Sequence, residues 1–213
     1  MDTCMIFCAG GFDRLLAPPE ASDYILAADG GYTHVRQLGL TPDGVLGDFD
    51  SLGYVPEEAQ VFPVEKDDTD SMLAIRKGLD LGYRKFLLYG SLDGPRLDHT
   101  VANIQALRFL AEHSAQGFLV GLSQVAAVIK NGELSFPAGC RGYISVFCLG
   151  DKAQGVSLQG LYYPLEGAEL TGTFPLGASN QFTGQPARIG VRNGCLLVIW
   201  DRDNGLPEGG AAC

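Results

Sequence analysis

Val45-Leu46-Gly47-Asp48-Phe49-Asp50-Ser51 runs from two apolar residues straight into an acidic cluster. Read as a short strand, it ends at the carboxylates. Residues i and i+2 of extended chain point the same way, so Asp48 and Asp50 can aim two carboxylates at one point. A second cluster, Lys66-Asp67-Asp68-Thr69-Asp70, follows and opens a helical pattern through Met72, Leu73, Ile75 and Leu79, with Gly82 as its stop. Asp67 and Asp70, three apart, suit one face of a helix start. Like charges gathered in a cleft repel. A hard divalent cation removes that cost, and oxygen-only ligands favour Mg2+ over zinc. Any one of these Asp residues, taken alone, is as readily a cap or a turn residue. The set as a whole points to a metal and phosphate site.

Working outward, residues 5–9 form an apolar run that ends in Gly10-Gly11, a turn that can approach a phosphate closely. Residues 24–28 repeat the form and end in Asp29-Gly30-Gly31, followed by a helical pattern on Tyr32, Val35 and Leu38 that Gly39 closes. Asp29 therefore sits at a strand's carboxyl end, where open α/β sheets place ligands, or caps the helix. Residues 61–64 read as a short strand and residues 86–89 as a clear one. The loop Gly90-Ser91-Leu92-Asp93-Gly94-Pro95-Arg96-Leu97-Asp98-His99 follows. Arg96 can clamp phosphate oxygens or be a solvated loop cation. A helix runs from about Asp98, its candidate N-cap, to about Glu112, and residues 118–122 give one more strand. Strands alternating with helices predict a mostly parallel, helix-covered sheet.

After Leu122 the pattern changes. Residues 125–130 and 133–136 flank Asn131-Gly132, and residues 188–192 and 195–200 flank Asn193-Gly194. Both read as hairpins with type I′ turns. No convincing helix appears, so the chain divides near Ser123 into an α/β domain, 1–123, and an all-β domain, 124–213, read as a small sandwich. In the latter, Leu176-Gly177-Ala178-Ser179-Asn180-Gln181-Phe182 could hydrogen-bond a heterocycle, with Phe182 or Trp200 stacking on it, or could be an ordinary polar turn. The Gly/Ala-rich tail from Leu206 reads as frayed.

Composition narrows the partners. The formal charge is −10 with no basic run, which argues against nucleic acid. A triphosphate remains compatible, because Mg2+ can bridge acidic protein to acidic ligand. No stretch is apolar for long enough to span a membrane, and no basic region precedes the first apolar run as in a signal peptide. Cys4, Cys8, Cys140, Cys148, Cys195 and Cys213 form no C-x-x-C pair and mostly lie in apolar runs, which suits buried thiols in a reducing cytoplasm.

Together these stretches resemble the thiamine pyrophosphokinase family. The matching pieces are Ala28-Asp29-Gly30-Gly31, Gly47-Asp48-Phe49-Asp50-Ser51, Lys66-Asp67 with Thr69-Asp70, Arg96-Leu97-Asp98-His99 with Asn103, and Ser179-Asn180-Gln181-Phe182. They occur in the family's order and span nearly the whole chain. Two positions depart from its pattern: Gly94-Pro95 stands where two glycines are common, and Ala178 where Thr is common. The resemblance implies that the hydroxyl of thiamine attacks the β-phosphorus of ATP, giving thiamine diphosphate and AMP. It implies an α/β catalytic domain, a β-sandwich thiamine-binding domain, and a homodimer with thiamine near the subunit interface. By position, Asp48, Asp50 and Asp70 would hold Mg2+. Lys66, Asp67 and Asp98 would complete the diphosphate site. Asp29, Gly30, Gly31, Arg96 and His99 would serve the ATP side, and Ser179 and Asn180 the thiamine pyrimidine.

The competing readings are a related diphosphokinase acting on a hydroxymethylpterin, a D-x-D phosphatase or nucleotide-sugar transferase, and a binding regulator without turnover. The Ser179-Asn180 loop in a separate β domain speaks for thiamine. The number of carboxylates speaks against a pure binder.

Overall fold

Strand β2 (Tyr24–Ala28) lies parallel to β3 (Gly44–Gly47), with Ala28 opposite Leu46. That register sets the next residue of each strand side by side. The computed structural model describes residues 2–49, 52–57, 59–63 and 67–210. Asp50, Ser51 and Lys66 lie outside them. Two compact units emerge: residues Met1–Ala106 with Gly117–Leu122, and Leu107–Gln116 with Ser123–Cys213.

The first unit adds β1 (Thr3–Phe7), β4 (Ala59–Val61), β5 (Lys85–Tyr89) and β6 (Gln116–Val120) to β2 and β3. Its strands run in the order β6-β5-β1-β2-β3-β4. β1 pairs parallel with both β2 and β5, β2 with β3, and β3 with β4. The runs Cys4 to Phe7 and Phe86 to Tyr89 are buried throughout, as a sheet covered on both faces requires. Helix α1 (Gly31–Gln37) packs on β1 and β2, and α2 (Asp70–Asp80) on β1, β2 and β3. Gly31 is required at that contact, because a Cβ there would overlap the Phe7 carbonyl. Helix α3 (Leu97–Glu112) begins in this unit. Asp98, the candidate N-cap from sequence, thus falls in its first turn instead, as the second helical residue, because the helix starts earlier, at Leu97. Its carboxylate turns back to Arg96 and favours the positive end of the helix. The chain leaves β1 toward β2 on one side and returns to β5 on the other, so the sheet's switch point lies between β1 and β5.

In the second unit one sheet has the order β12-β9-β14-β7, from β7 (Gln124–Lys130), β9 (Tyr143–Cys148), β12 (Gly177–Gln181) and β14 (Cys195–Asp201). The other has the order β11-β10-β13-β8-β15, from β8 (Glu133–Phe136), β10 (Lys152–Gln159), β11 (Leu165–Thr171), β13 (Ala187–Gly190) and β15 (Glu208–Gly210). The sheets face each other through β9 and β11 and through β10 and β14. The tail is therefore ordered as far as β15, an edge strand on β8.

Neither expected hairpin forms. β7 pairs with β14, while β8 pairs with β13 and β15. Asn131-Gly132 and Asn193-Gly194 instead carry the chain from one sheet to the other. A type I′ turn needs positive φ at both central residues. Here only Asn131 (φ 49) in the first corner and Gly194 (φ 120) in the second have it. The corners bind each other: Asn131 N–H donates to the Gly194 carbonyl at 3.1 Å, and Gly194 N–H donates to Asn131 Oδ1 at 2.9 Å.

Phe182 and Trp200, read from sequence as stacking candidates, are core residues. Phe136 meets Trp200 edge-on at 5.2 Å and Phe182 at 5.1 Å. Trp200 is fully buried and satisfies its indole N–H on the Gly205 carbonyl at 2.9 Å. Among the described residues no helix is long and apolar enough to cross a membrane.

Candidate active site

The carboxyl ends of β1, β2, β3 and β5 open into a cavity of about 440 Å³ in the first unit. Asp29 reaches it from β2. Its N–H donates to the Leu46 carbonyl at 2.8 Å, which splices it to the end of β3. Asp29 takes φ 49, a left-handed conformation that Asp tolerates better than most residues. Gly47, at φ 151, has to be glycine here, since a Cβ would lie 3.0 Å from the Asp29 Cα. Asp48 follows at the end of β3, and Asp70 comes from the first turn of α2.

These three half-buried carboxylates each place an oxygen within 4.8 Å of the other two. At an effective dielectric near 20, each like-charge pair at that spacing costs on the order of 3–4 kcal/mol. A hard cation between the oxygens would offset that repulsion, and carboxylates are the donors that Mg2+ takes. The residues present therefore fit the metal that the sequence implied. Asp29 joins Asp48 and Asp70 in that cluster. Sequence spacing had placed it in the cleft but not among the ligands.

The phosphate-side candidates divide. Arg96 and His99 line the cavity with Thr100 and Asn103 of α3. Arg96 binds the Asp98 carboxylate through Nη2 at 2.6 Å and Nε at 3.3 Å. That guanidinium holds the Asp98 carboxyl below the usual carboxylate range. The paired, ionised form is present above the ordinary carboxyl pKa and is lost as pH falls through the lowered one. Of the two adjacent acids before α2, Asp68 lines the cavity, with Arg76 at 3.0 Å, while Asp67 is exposed. Gly30 caps α1 and Gly31 packs it, and neither lines the cavity. The Gly10-Gly11 turn has its amides occupied: Gly10 N–H donates to the Gly90 carbonyl at 2.9 Å and Gly11 N–H to the Asp93 carbonyl. It splices β1 to the β5 loop and offers a phosphate no spare N–H. His34 of α1 steadies the turn, with Nε2 at 2.9 Å from the Gly10 carbonyl.

Cys8 borders the same cavity, and sequence reading had assigned it only to the core. Burial, then the nearby Asp70 charge, pushes its thiol up to about 12. Only the thiolate reacts, so at pH 8 Cys8 should alkylate about a thousandfold more slowly than an ordinary cysteine. Mass-spectrometric mapping of iodoacetamide adducts on native and urea-unfolded protein checks this. Rapid labelling of Cys8 in the native state would show that the site's field is not the one described.

In the second unit, the pairing of β12 with β9 shifts register between Gly177 and Asn180. Such bulges re-aim side chains beside functional sites. Ser179 stands in the shift at φ 55 and is exposed. Asn180 is buried. Its Oδ1 accepts the Tyr163 and Gln181 N–H groups at 2.9 Å each, and its Nδ2 donates to the Tyr163 carbonyl at 2.7 Å. Asn180 thus fixes the backbone that presents Tyr162 and Tyr163, exposed aromatics that the sequence reading passed over. A doubled tyrosine beside a strand break was the available signal.

Comparison with known proteins bears on both units. A family model described as thiamin pyrophosphokinase, catalytic domain, matches residues 18–119. A second, thiamin pyrophosphokinase, vitamin B1 binding domain, matches residues 133–196. The thiamine pyrophosphokinase of Bacillus subtilis (strain 168) is 26% identical over 210 residues, covering 92% of this chain and 97% of the relative. A crystal structure of thiamine pyrophosphokinase from Bacillus subtilis superposes with TM-score 0.80 at 22% identity, covering 94% of this chain and 99% of that one. The thiamin pyrophosphokinase from Candida albicans shares the fold with TM-score 0.72 at 16% identity, over 92% of this chain and 88% of that one. With both halves of one family's architecture matched in order over more than three quarters of its length, this chain belongs to the thiamin pyrophosphokinase family.

Proposed function

We propose that the chain transfers the diphosphate of ATP to the hydroxyl of thiamine, giving thiamine diphosphate and AMP. Residues 1–123 would act as the catalytic, ATP-binding domain and residues 124–213 as the thiamine-binding domain. The observation that carries this reading is the convergence of Asp29, Asp48 and Asp70 at the strand ends, inside a cavity that also holds Arg96 and His99. Asp48 and Asp70, with Asp29 and the adjoining Asp50, are the residues that would hold Mg2+. Bound there, it supplies the positive charge that lets an acidic site accept a triphosphate.

The chain's own groups then have defined tasks. Arg96 offers two parallel N–H donors, now on Asp98, to phosphoryl oxygens, and His99 lies one helical step further on. Lys66, Asp67 and Asp98 would complete the diphosphate site. As the thiamine hydroxyl gives up its proton to solvent and its oxygen bonds to the β-phosphorus, the bond from that phosphorus to the α–β bridging oxygen breaks and AMP leaves with that oxygen. Such a transfer asks the protein for alignment and charge neutralisation more than for covalent chemistry. Ser179 would contact the pyrimidine, with Asn180 setting the backbone beside it.

We further place the enzyme in the cytoplasm as a homodimer with its acceptor site near the subunit interface. Support comes from the free thiols at Cys4, Cys8, Cys140, Cys148 and Cys195, and from the exposed Tyr143, Tyr162, Tyr163, Phe174 and Leu176 on the segments around Ser179. The vitamin B1 binding match over residues 133–196 favours thiamine over the pterin, phosphatase and sugar-transferase readings.

Incubation with ATP and Mg2+ should release AMP and thiamine diphosphate in equal amounts when thiamine is the acceptor. A hydroxymethylpterin should give neither. Faster turnover of the pterin under matched conditions would reassign the acceptor.

A further inference from the structure

Asp70 is flanked on both sides by hydroxyls that belong to one hydrogen-bonded chain. Thr69 Oγ1 caps α2 by accepting the Met72 N–H at 3.2 Å, and it lies 3.0 Å from Ser71 Oγ. Ser71 Oγ donates to Asn103 Oδ1 at 2.8 Å, and Asn103 Nδ2 donates to the Ser91 carbonyl at 2.7 Å. Ser91 closes the run on the Leu88 carbonyl at 2.7 Å. Asn103 and Ser91 are 6% and 5% exposed, so the Asn103–Ser91 and Ser91–Leu88 bonds are shielded from bulk water, while the Thr69 and Ser71 bonds are half-buried at the cavity.

The chain has a fixed direction. A carbonyl can only accept, so Nδ2 must face Ser91 and Oδ1 must face Ser71. The Ser71 proton is then committed to Asn103, and the Thr69 hydroxyl must donate to Ser71. One buried amide on α3 thereby dictates the hydroxyl orientations on both sides of Asp70 and ties the start of α2 to the end of β5.

We propose that Asn103 is a positioning residue for this enzyme: through Ser71 it holds Asp70 at the angle at which the carboxylate cluster takes a divalent cation. Outer-shell partners that orient a ligand typically cost 10–100-fold in metal affinity or activity when removed. The inference rests on the metal reading of Asp29, Asp48 and Asp70, and its test separates the two.

The probe is Mn2+ alone, titrated into the whole protein and followed by electron paramagnetic resonance, with Mg2+-dependent turnover measured alongside. Asn103→Ala should weaken Mn2+ binding about tenfold or more and raise the Mg2+ concentration needed for half-maximal kcat. Ser71→Ala should weaken binding in the same direction. The double variant should be no worse than Asn103→Ala, because both changes cut the same chain. A residue that only supports packing would lower the melting temperature and leave the dissociation constant of the folded protein unmoved. A folded Asn103→Ala protein with Mn2+ affinity within twofold of the parent overturns the proposal. If that variant does not fold, the same result for Ser71→Ala overturns it. Absence of Mn2+ binding by the parent protein overturns the metal reading and this inference together.

Discussion

Asp70→Asn is expected to lower the rate of diphosphate transfer about a thousandfold, the scale of losing one preorganised charge from a phosphoryl-transfer site. The substitution keeps size and shape and removes only the charge. Asp70 is half-buried, and the Thr69 cap that starts α2 does not depend on its carboxylate. The fold should therefore survive. Without metal the variant should melt at a higher temperature than the parent, because one of three mutually repelling carboxylates is gone. The two readouts oppose each other: activity falls while metal-free stability rises. Chelation of the parent should abolish turnover, and added Mg2+ should restore it. Full activity in the chelated parent, or in Asp70→Asn, would remove the basis for a metal at these strand ends.

Mixing two inactive proteins should restore about a quarter of the parental activity. The pair is Asp70→Asn in the first unit and Asn180→Ala in the second. Loss of Asn180 strips three hydrogen bonds from the Tyr163 and Gln181 backbone and should disable the thiamine side. If each acceptor site joins the catalytic unit of one subunit to the β unit of its partner, a heterodimer has one site with both lesions and one with none. Random pairing after joint refolding gives about half heterodimers, hence about a quarter of the sites intact. Differentially tagged subunits report the heterodimer fraction. No recovery with heterodimers present would return each site to a single subunit and leave the reaction unaffected.

The α/β half was legible because its signals are local. Apolar runs ending in glycine or aspartate mark strand ends, and Thr69-Asp70 marks a helix start. What is not local was read less well. Asp29 enters the carboxylate cluster only because β2 and β3 pair with Ala28 opposite Leu46, and nothing in the spacing of Asp29 and Asp48 states that register. Asn131-Gly132 and Asn193-Gly194 look like hairpin turns because the dipeptide records willingness to bend, not which strand waits on the far side. Phe182 and Trp200 are as apt for a ligand as for a core. Their enclosure with Phe136 is a property of the two sheets, visible only once those sheets face each other. The Asn103 chain was beyond reach, since its members come from three separate segments.

The crossed corners also set the order in which the second unit can form during synthesis. β7 carries a fully buried run from Val125 to Ile129, yet its partner β14 begins only at Cys195. At ribosomal rates the two are separated by roughly 4–15 s. Throughout that interval the β14 edge of β7 lacks its partner, and the adjacent β8 does not fill it, because β8 pairs with β13 and β15 in the other sheet. The β7–β14 pairing therefore closes late, after the neighbouring strands β10 and β11 can already have paired, and long-range pairings of this kind fold slowly. Nascent chains stalled within this region should be the ones that chaperones hold longest.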